Sequence, residues 1–148
     1  MDRTTPIGLY NFGVAYLDTA RAALPSVDTI CFYDPFDFLC AHGLELIFKA
    51  ELARTMDIND VRRRYGHNLL KLKKKLGQGF LSKFPINAEL ENTIEFLSIG
   101  HSGPNYPNRY LVTGTKQVLL PNQYLPTLSN FNTDDRRWLT SHFVKAIR

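Results

Sequence analysis

The chain has 148 residues, a net charge of +4 and a hydrophobic content of 44%, which suffices for one buried core but not for two ordinary domains. We therefore expect residues 1–148 to form a single domain without extensive disorder. No apolar run approaches the roughly 18 residues of a membrane span, and the start MDRTTPIGLYNFG lacks the pattern of a signal peptide. The two cysteines, Cys31 and Cys40, form no CxxC pair, so we expect neither a disulfide scaffold nor a zinc ribbon, and a cytoplasmic location.

The first third of the chain predicts two helices. Apolar residues recur at helical spacing over residues 6–24, and Pro25 ends this helix. A second helix begins with Asp34 as its predicted N-cap and Pro35 at its first position. Because apolar residues cover much of its circumference, we predict that it is the central helix.

Two more helices are predicted in the middle of the chain. Residues 57–66 are rich in turn formers, and a third helix follows over residues 67–76, where Gly77 terminates it. The fourth helix covers residues 87–99 and closes at Gly100.

The remaining chain combines a long connection with a last helix. Residues 100–132 contain four prolines and many Asn, Thr and Tyr residues, which excludes a regular helix, while RYLVTG and QVLL allow a small β-hairpin or an ordered extended loop. The capping sequence NTDD then opens a final helix with Trp138 and Phe143. We predict an all-α, up-and-down bundle of about five helices with one long Pro/Asn-rich connection.

The positive charge is concentrated in one segment. Residues 61–88 contain eight basic residues and no acid. Such a run is either the solvated outer face of an amphipathic helix or a surface for phosphate groups. Charges of one sign repel each other along a helix, which favours RNA or another polyanion as a partner. The candidate binding residues are Arg62, Arg63, Arg64, Lys71, Lys73, Lys74 and Lys75.

Two stretches, FLCAHGLELIFKAELARTM and YGHNLLKLKKKL, resemble the HEPN domain family. The matching residues are Glu45 and Lys49, then the Gly66, His67, Asn68 and Leu69 of the GH.L motif, and the NRY at residues 108–110. The resemblance covers roughly residues 6–112. It implies a bundle of four to five helices, pairing as a homodimer, and RNA binding or metal-independent RNA cleavage in host defence and toxin–antitoxin systems.

The resemblance also implies catalytic residues. Catalytic members carry an Arg, usually followed by a polar residue, then four to six further positions and then a His, and the two copies of the dimer form one cleft. Four residues separate Arg62 from His67, and five separate Arg136 from His142, which makes the second pair a second candidate. A His can take the 2′-hydroxyl proton and an Arg can stabilise the phosphorane, and on one helix either spacing would place both on one side. Alternatively, His67 caps a helix start or fills a polar gap, and Arg136 with His142 belongs to a solvated terminal helix.

Other chemistry has less support in the sequence. Glu45 and Lys49 form an i,i+4 pair that is either exposed or partly buried. No histidine pair shows HExxH or HxH spacing, so no metal site and no cofactor are predicted. The expected function is RNA or nucleotide binding by a homodimer. Metal-independent endoribonuclease activity is a further candidate. The alternative is a non-catalytic helical module that pairs with itself or with an acidic protein partner.

Overall fold

A computed structural model of the chain describes residues 4–29, 33–81, 88–102 and 119–144. Within these residues the chain forms seven α-helices and two 3-10 helices and no β-strand, which confirms the all-α class. The α-helices are α1 (Pro6–Ala23), α2 (Asp34–Leu52), α3 (Ile58–Tyr65), α4 (Leu69–Leu81), α5 (Ala88–Ser102), α6 (Pro121–Tyr124) and α7 (Arg136–Val144). The 3-10 helices are Leu24–Thr29 and Leu125–Leu128. No helix among the described residues is both long and apolar enough to cross a membrane.

The helices α1 and α2 form the most extensively packed pair of the bundle. Two glycines allow their backbones to approach closely, because a Cβ atom built on Gly13 would lie only 2.7 Å from the carbonyl oxygen of Gly43. A Cβ atom on Gly43 would in turn lie 2.8 Å from the carbonyl oxygen of Gly13. Helix α2 also packs on α4 and α5, so it is central, as the sequence predicts.

The segment around the second 3-10 helix is fastened to α1 by hydrogen bonds. The guanidinium of Arg21 donates to the carbonyl oxygens of Leu128 and Phe131, at 2.8 and 3.0 Å. The hydroxyl of Tyr10 donates to the carbonyl oxygen of Asn132 at 3.0 Å. These bonds hold residues 128–132 against α1, shortly before α7 begins.

The structure corrects one predicted turn region and one helix boundary. The residues predicted as turns before the third helix instead contain α3, whose N-cap is Asp57. The fourth helix does not close at Gly100 but continues to Ser102. The predicted stop at Gly77 is confirmed as a break, because Gly77 has φ 63 within the segment assigned to α4.

The last helix begins as predicted, and the predicted hairpin is not tested. The carboxylate of Asp135 accepts a hydrogen bond from the backbone N–H of Trp138 at 3.0 Å, which caps α7. The hairpin expected at residues 109–120 falls almost entirely outside the described residues.

Candidate functional site: a basic surface and a buried carboxylate

The predicted nucleic-acid-binding residues lie on α3 and α4. On α3, Asp57 accepts hydrogen bonds from the backbone N–H groups of Asn59 and Asp60, and Val61 is buried. The arginine triplet that follows Val61 is exposed. The seven candidate side chains, called the basic surface below, are Arg62, Arg63, Arg64, Lys71, Lys73, Lys74 and Lys75.

The start of α4 is fixed by a cap and by two buried leucines. The side-chain oxygen of Asn68 accepts from the backbone N–H of Lys71 at 2.8 Å. Leu69 and Leu72 are fully buried against the core, which turns the lysines of this helix outward. The leucine positions predicted from the sequence thus determine where the cations point.

Some side chains of the basic surface form ion pairs with acidic residues. Arg63 pairs with Asp60 at 2.5 Å, and Arg64 lies 4.0 Å from the same carboxylate. Lys73 pairs with Glu91 of α5 at 2.6 Å. These contacts are partly exposed, and such surface pairs contribute little to stability.

Three lysines of α4 have no such companion in the part of the chain that the structure describes. Lys71, Lys74 and Lys75 are exposed. None of them takes part in an ion pair among the described residues. Their spacing places them on the same outer side of the helix, so their positive potentials add.

Arg62 lines a groove of about 500 Å³ at the surface of α1, α2 and α3. Its guanidinium donates to the hydroxyl of Thr4 at 3.1 Å. Other lining residues are Phe12, Tyr16 and His42, and the ring of Phe12 is 68% exposed. The groove thus combines a cation with aromatic surface.

Arg62 and His67 do not share a helix. Arg62 belongs to α3, whereas His67 lies in the turn after Gly66, whose φ of 51 ends the helix. The histidine that lines the groove together with Arg62 is His42 rather than His67. The one-sided helical arrangement considered for the first catalytic pair is therefore wrong.

His67 is instead held against Glu45. Its Nδ1 lies 3.1 and 3.0 Å from the two carboxylate oxygens, and its side chain is 41% exposed. The hydroxyl of Ser102 donates to the carbonyl oxygen of His67 at 2.6 Å, which joins this turn to the end of α5. The predicted role of His67 in filling a polar gap agrees with these contacts.

Glu45 is the centre of a buried polar cluster. Its carboxylate, 1% exposed, pairs through Oε1 with Lys49 Nζ at 2.6 Å. Its Oε2 lies 2.5 Å from His101 Nε2 and 3.6 Å from His42 Nδ1. The partly buried alternative for the Glu45–Lys49 pair is thus confirmed. We call these residues, together with His67, the Glu45 cluster.

The cluster keeps its carboxylate ionised. Burial alone would raise the pKa of Glu45, but the hydrogen bond with His101, the nearby imidazole of His42 and the ammonium of Lys49 outweigh burial and lower this pKa well below its usual range. A buried charge that is paired in this way holds α2 and α5 in a defined relation.

Sequence reasoning missed the role of His42 and His101. His42 precedes Glu45 by three positions on α2, so helical spacing already places it on the same face. His101 lies 56 residues from Glu45, and no local pattern connects the two residues. Only the packing of α5 on α2 brings His101 to the carboxylate.

The second catalytic candidate lies on α7. His142 Nε2 lies 2.6 Å from Glu51 Oε2, and its ring stacks on Trp138 with a centroid distance of 4.4 Å. Arg54 donates to the carbonyl oxygen of His142 at 2.9 Å, whereas Arg136 is exposed. His142 therefore joins α7 to the end of α2.

Comparisons of the chain with family models, with curated proteins and with solved structures give no match.

Proposed function

We propose that the protein binds single-stranded RNA through the basic surface, as its HEPN-like motifs imply. The observation that carries this proposal is the set Lys71, Lys74 and Lys75, three exposed cations on one side of α4 without ion pairs among the described residues. Each cation that neutralises a phosphate releases a counterion, which drives association. A solvated helix face without such a role would gain more from mixed charges.

The groove beside Arg62 favours single strands over duplexes. Phe12 offers an exposed ring close to a guanidinium, and unpaired bases stack on such rings. Duplex RNA keeps its bases stacked on each other, so this aromatic surface would not contribute. We therefore expect tighter binding of a single strand than of a duplex of equal length.

Fluorescence anisotropy with a labelled single-stranded RNA tests the binding. We expect affinity to fall by roughly 0.7 log units per phosphate contact for each log unit of salt. The variant Lys71→Gln/Lys74→Gln should bind more weakly, whereas Arg136→Gln/Arg137→Gln, which removes two exposed charges on α7, should bind like the unmodified protein. Affinity that is insensitive to salt would exclude this function.

RNA cleavage is a second candidate, with His67 as general base and Arg62 as the stabilising cation. It is favoured by the contact between Nδ1 of His67 and the Glu45 carboxylate. A proton on Nδ1 makes Nε2 the proton-accepting nitrogen, which is the arrangement that a general base requires. Because the two residues lie on different elements, they would meet on the substrate rather than along a helix.

Cleavage is tested with the same RNA followed on a denaturing gel. We expect His67→Ala to abolish cleavage and His142→Ala, the variant of the second catalytic candidate, to preserve it. Cleavage that survives both substitutions would refute either histidine as the base, and the binding proposal would stand unaffected.

Pairing of two copies belongs to the same proposal. It is supported by Ile99 of α5, which is 65% exposed despite its apolar side chain. Light scattering after size exclusion should give a mass of about twice 17.0 kDa, and Ile99→Asp should lower it, unlike Val144→Asp. A dimer that binds no RNA would favour the non-catalytic interaction module.

A further inference from the structure

We propose that His42, Glu45 and His101 form a binding site for a divalent transition-metal ion of the zinc type, located between α2 and α5. This structural site goes beyond RNA binding and does not depend on it. One potential ligand atom from each of the three residues lies within 4.8 Å of the other two. His67 borders this site, with its Nδ1 at 3.0 Å from the same Glu45 oxygen.

The donor atoms fit such an ion. Imidazole nitrogen and carboxylate oxygen bind Zn²⁺ at about 2.0–2.2 Å, so tetrahedral ligands lie roughly 3.4 Å apart. The observed separations from Glu45 Oε2 are 2.5 Å to His101 and 3.6 Å to His42, which bracket that value. A side-chain shift of about 1 Å would therefore open the cluster around an ion.

The donor atoms of the cluster determine which kind of ion it would bind. Lys49 occupies Oε1 of Glu45, which leaves Oε2 facing the histidines. A single carboxylate is too few for Ca²⁺ or Mg²⁺, which take most of their ligands from oxygen. Ions that bind imidazole strongly are thus favoured.

The environment of His42 points independently to a ligand. Its Nδ1 is buried and makes no hydrogen bond with any described residue, although it is turned toward the carboxylate at 3.6 Å. Buried polar atoms are nearly always satisfied, so an unsatisfied imidazole nitrogen within a cluster of donors calls for a partner. A metal ion would supply that partner.

An ion can reach the cluster from the surface. His42 lines the groove beside Arg62, and its side chain is 21% exposed. Access through this groove requires no unfolding of α2 or α5, so we expect binding within the time of a titration.

Cobalt spectroscopy on the full chain, without an affinity tag and after dialysis against a chelator, tests the site. Titration with Co²⁺ should produce visible absorption bands of low-symmetry coordination that saturate at one ion per chain, and Zn²⁺ should displace them. Absence of these bands up to millimolar Co²⁺ in the unmodified protein would overturn the proposal.

Substitutions of single histidines test whether the ion binds at this cluster. We expect His42→Ala and His101→Ala to weaken binding by at least about tenfold, since even outer partners of metal ligands cause such losses. His142→Ala, which removes a histidine outside the cluster, should bind as the unmodified protein does. Because His101 is fully buried, circular dichroism must show that its variant folds, and His42→Ala alone decides the question if it does not. Unchanged binding by His42→Ala, or a loss confined to His142→Ala, would contradict the proposal.

Discussion

The Glu45 cluster and the basic surface are both rich in charge, but they differ in how the chain satisfies that charge. In the cluster, one buried carboxylate receives Lys49 and several histidines, so its partners all come from the fold. On the basic surface, Lys71, Lys74 and Lys75 extend into solvent. Buried charges are explained by the structure that they stabilise, whereas a one-sided group of exposed charges is explained by a partner outside the chain.

The largest effect is expected from Glu45→Ala. The substitution leaves the buried ammonium of Lys49 without its counterion, so we expect the free energy of unfolding to fall by about 3–5 kcal/mol in urea denaturation. Glu91→Ala, which breaks the partly exposed pair with Lys73, is the matched control and should cost less than about 1 kcal/mol. Equal losses for the two variants would show that burial does not distinguish these ion pairs.

The second-largest effect is expected on the alkylation rate of the buried Cys40 thiol. Its burial, together with the nearby carboxylate of Asp37, raises the pKa to about 12. Only the thiolate is alkylated, so at pH 8 iodoacetamide should react about a thousandfold more slowly than with an ordinary thiol, and the rate should rise with pH toward that pKa. Mass spectrometry of the Cys31→Ser variant, with and without urea, measures this rate at Cys40 alone. Rapid alkylation of the folded variant would contradict the buried position.

A moderate effect is expected where α1 meets α2. The Cβ atom of Gly43→Ala would press on the carbonyl of Gly13, so we expect a loss of about 1–3 kcal/mol in the free energy of unfolding. Gly13→Ala should cost a similar amount. Because both variants separate the same helices, the double variant should lose less than the sum of the two. Additive losses would mean that the glycines act separately.

The smallest effect on stability is expected on the basic surface. Lys74→Gln removes an exposed charge near Lys71 and Lys75, so the free energy of unfolding should stay within about 0.5 kcal/mol or rise slightly as repulsion is relieved. Urea denaturation at low salt measures this change. A clear loss of stability would show that Lys74 holds the fold and would remove the contrast with Glu45.

The sequence predicts much of the helical framework because local periodicity determines it. Residues 6–24 and the helix after Asp34 carry continuous apolar patterns, and both appear as α1 and α2. Helix α3 was not predicted, because Val61 is its only fully buried residue and its flanking Asp57 and Gly66 are typical of turns. Ile58 and Tyr65 also pack against the core, but eight residues are too few for this spacing to distinguish a helix from a turn.

The candidate sites were predictable to different degrees, because some of their contacts are local in the sequence and others depend on how the helices pack. The cations of α4 were predictable because the leucines between them define the outer face. The Glu45–Lys49 pair was also predictable, since i,i+4 spacing is local. The approach of His101 depends on the packing of α5, which one sequence does not encode in any short pattern. The shared groove of Arg62 and His42 escaped prediction for the same reason.

The salt dependence of RNA binding tests the role of the basic surface most directly. The slope of log affinity against log salt is measured for the unmodified protein, for Lys71→Gln/Lys74→Gln and for the control Arg136→Gln/Arg137→Gln. If both lysines contact phosphates, the slope of the first variant should be shallower by about 1.4, while the control keeps the original slope. Equal slopes for all three proteins would contradict binding through the basic surface.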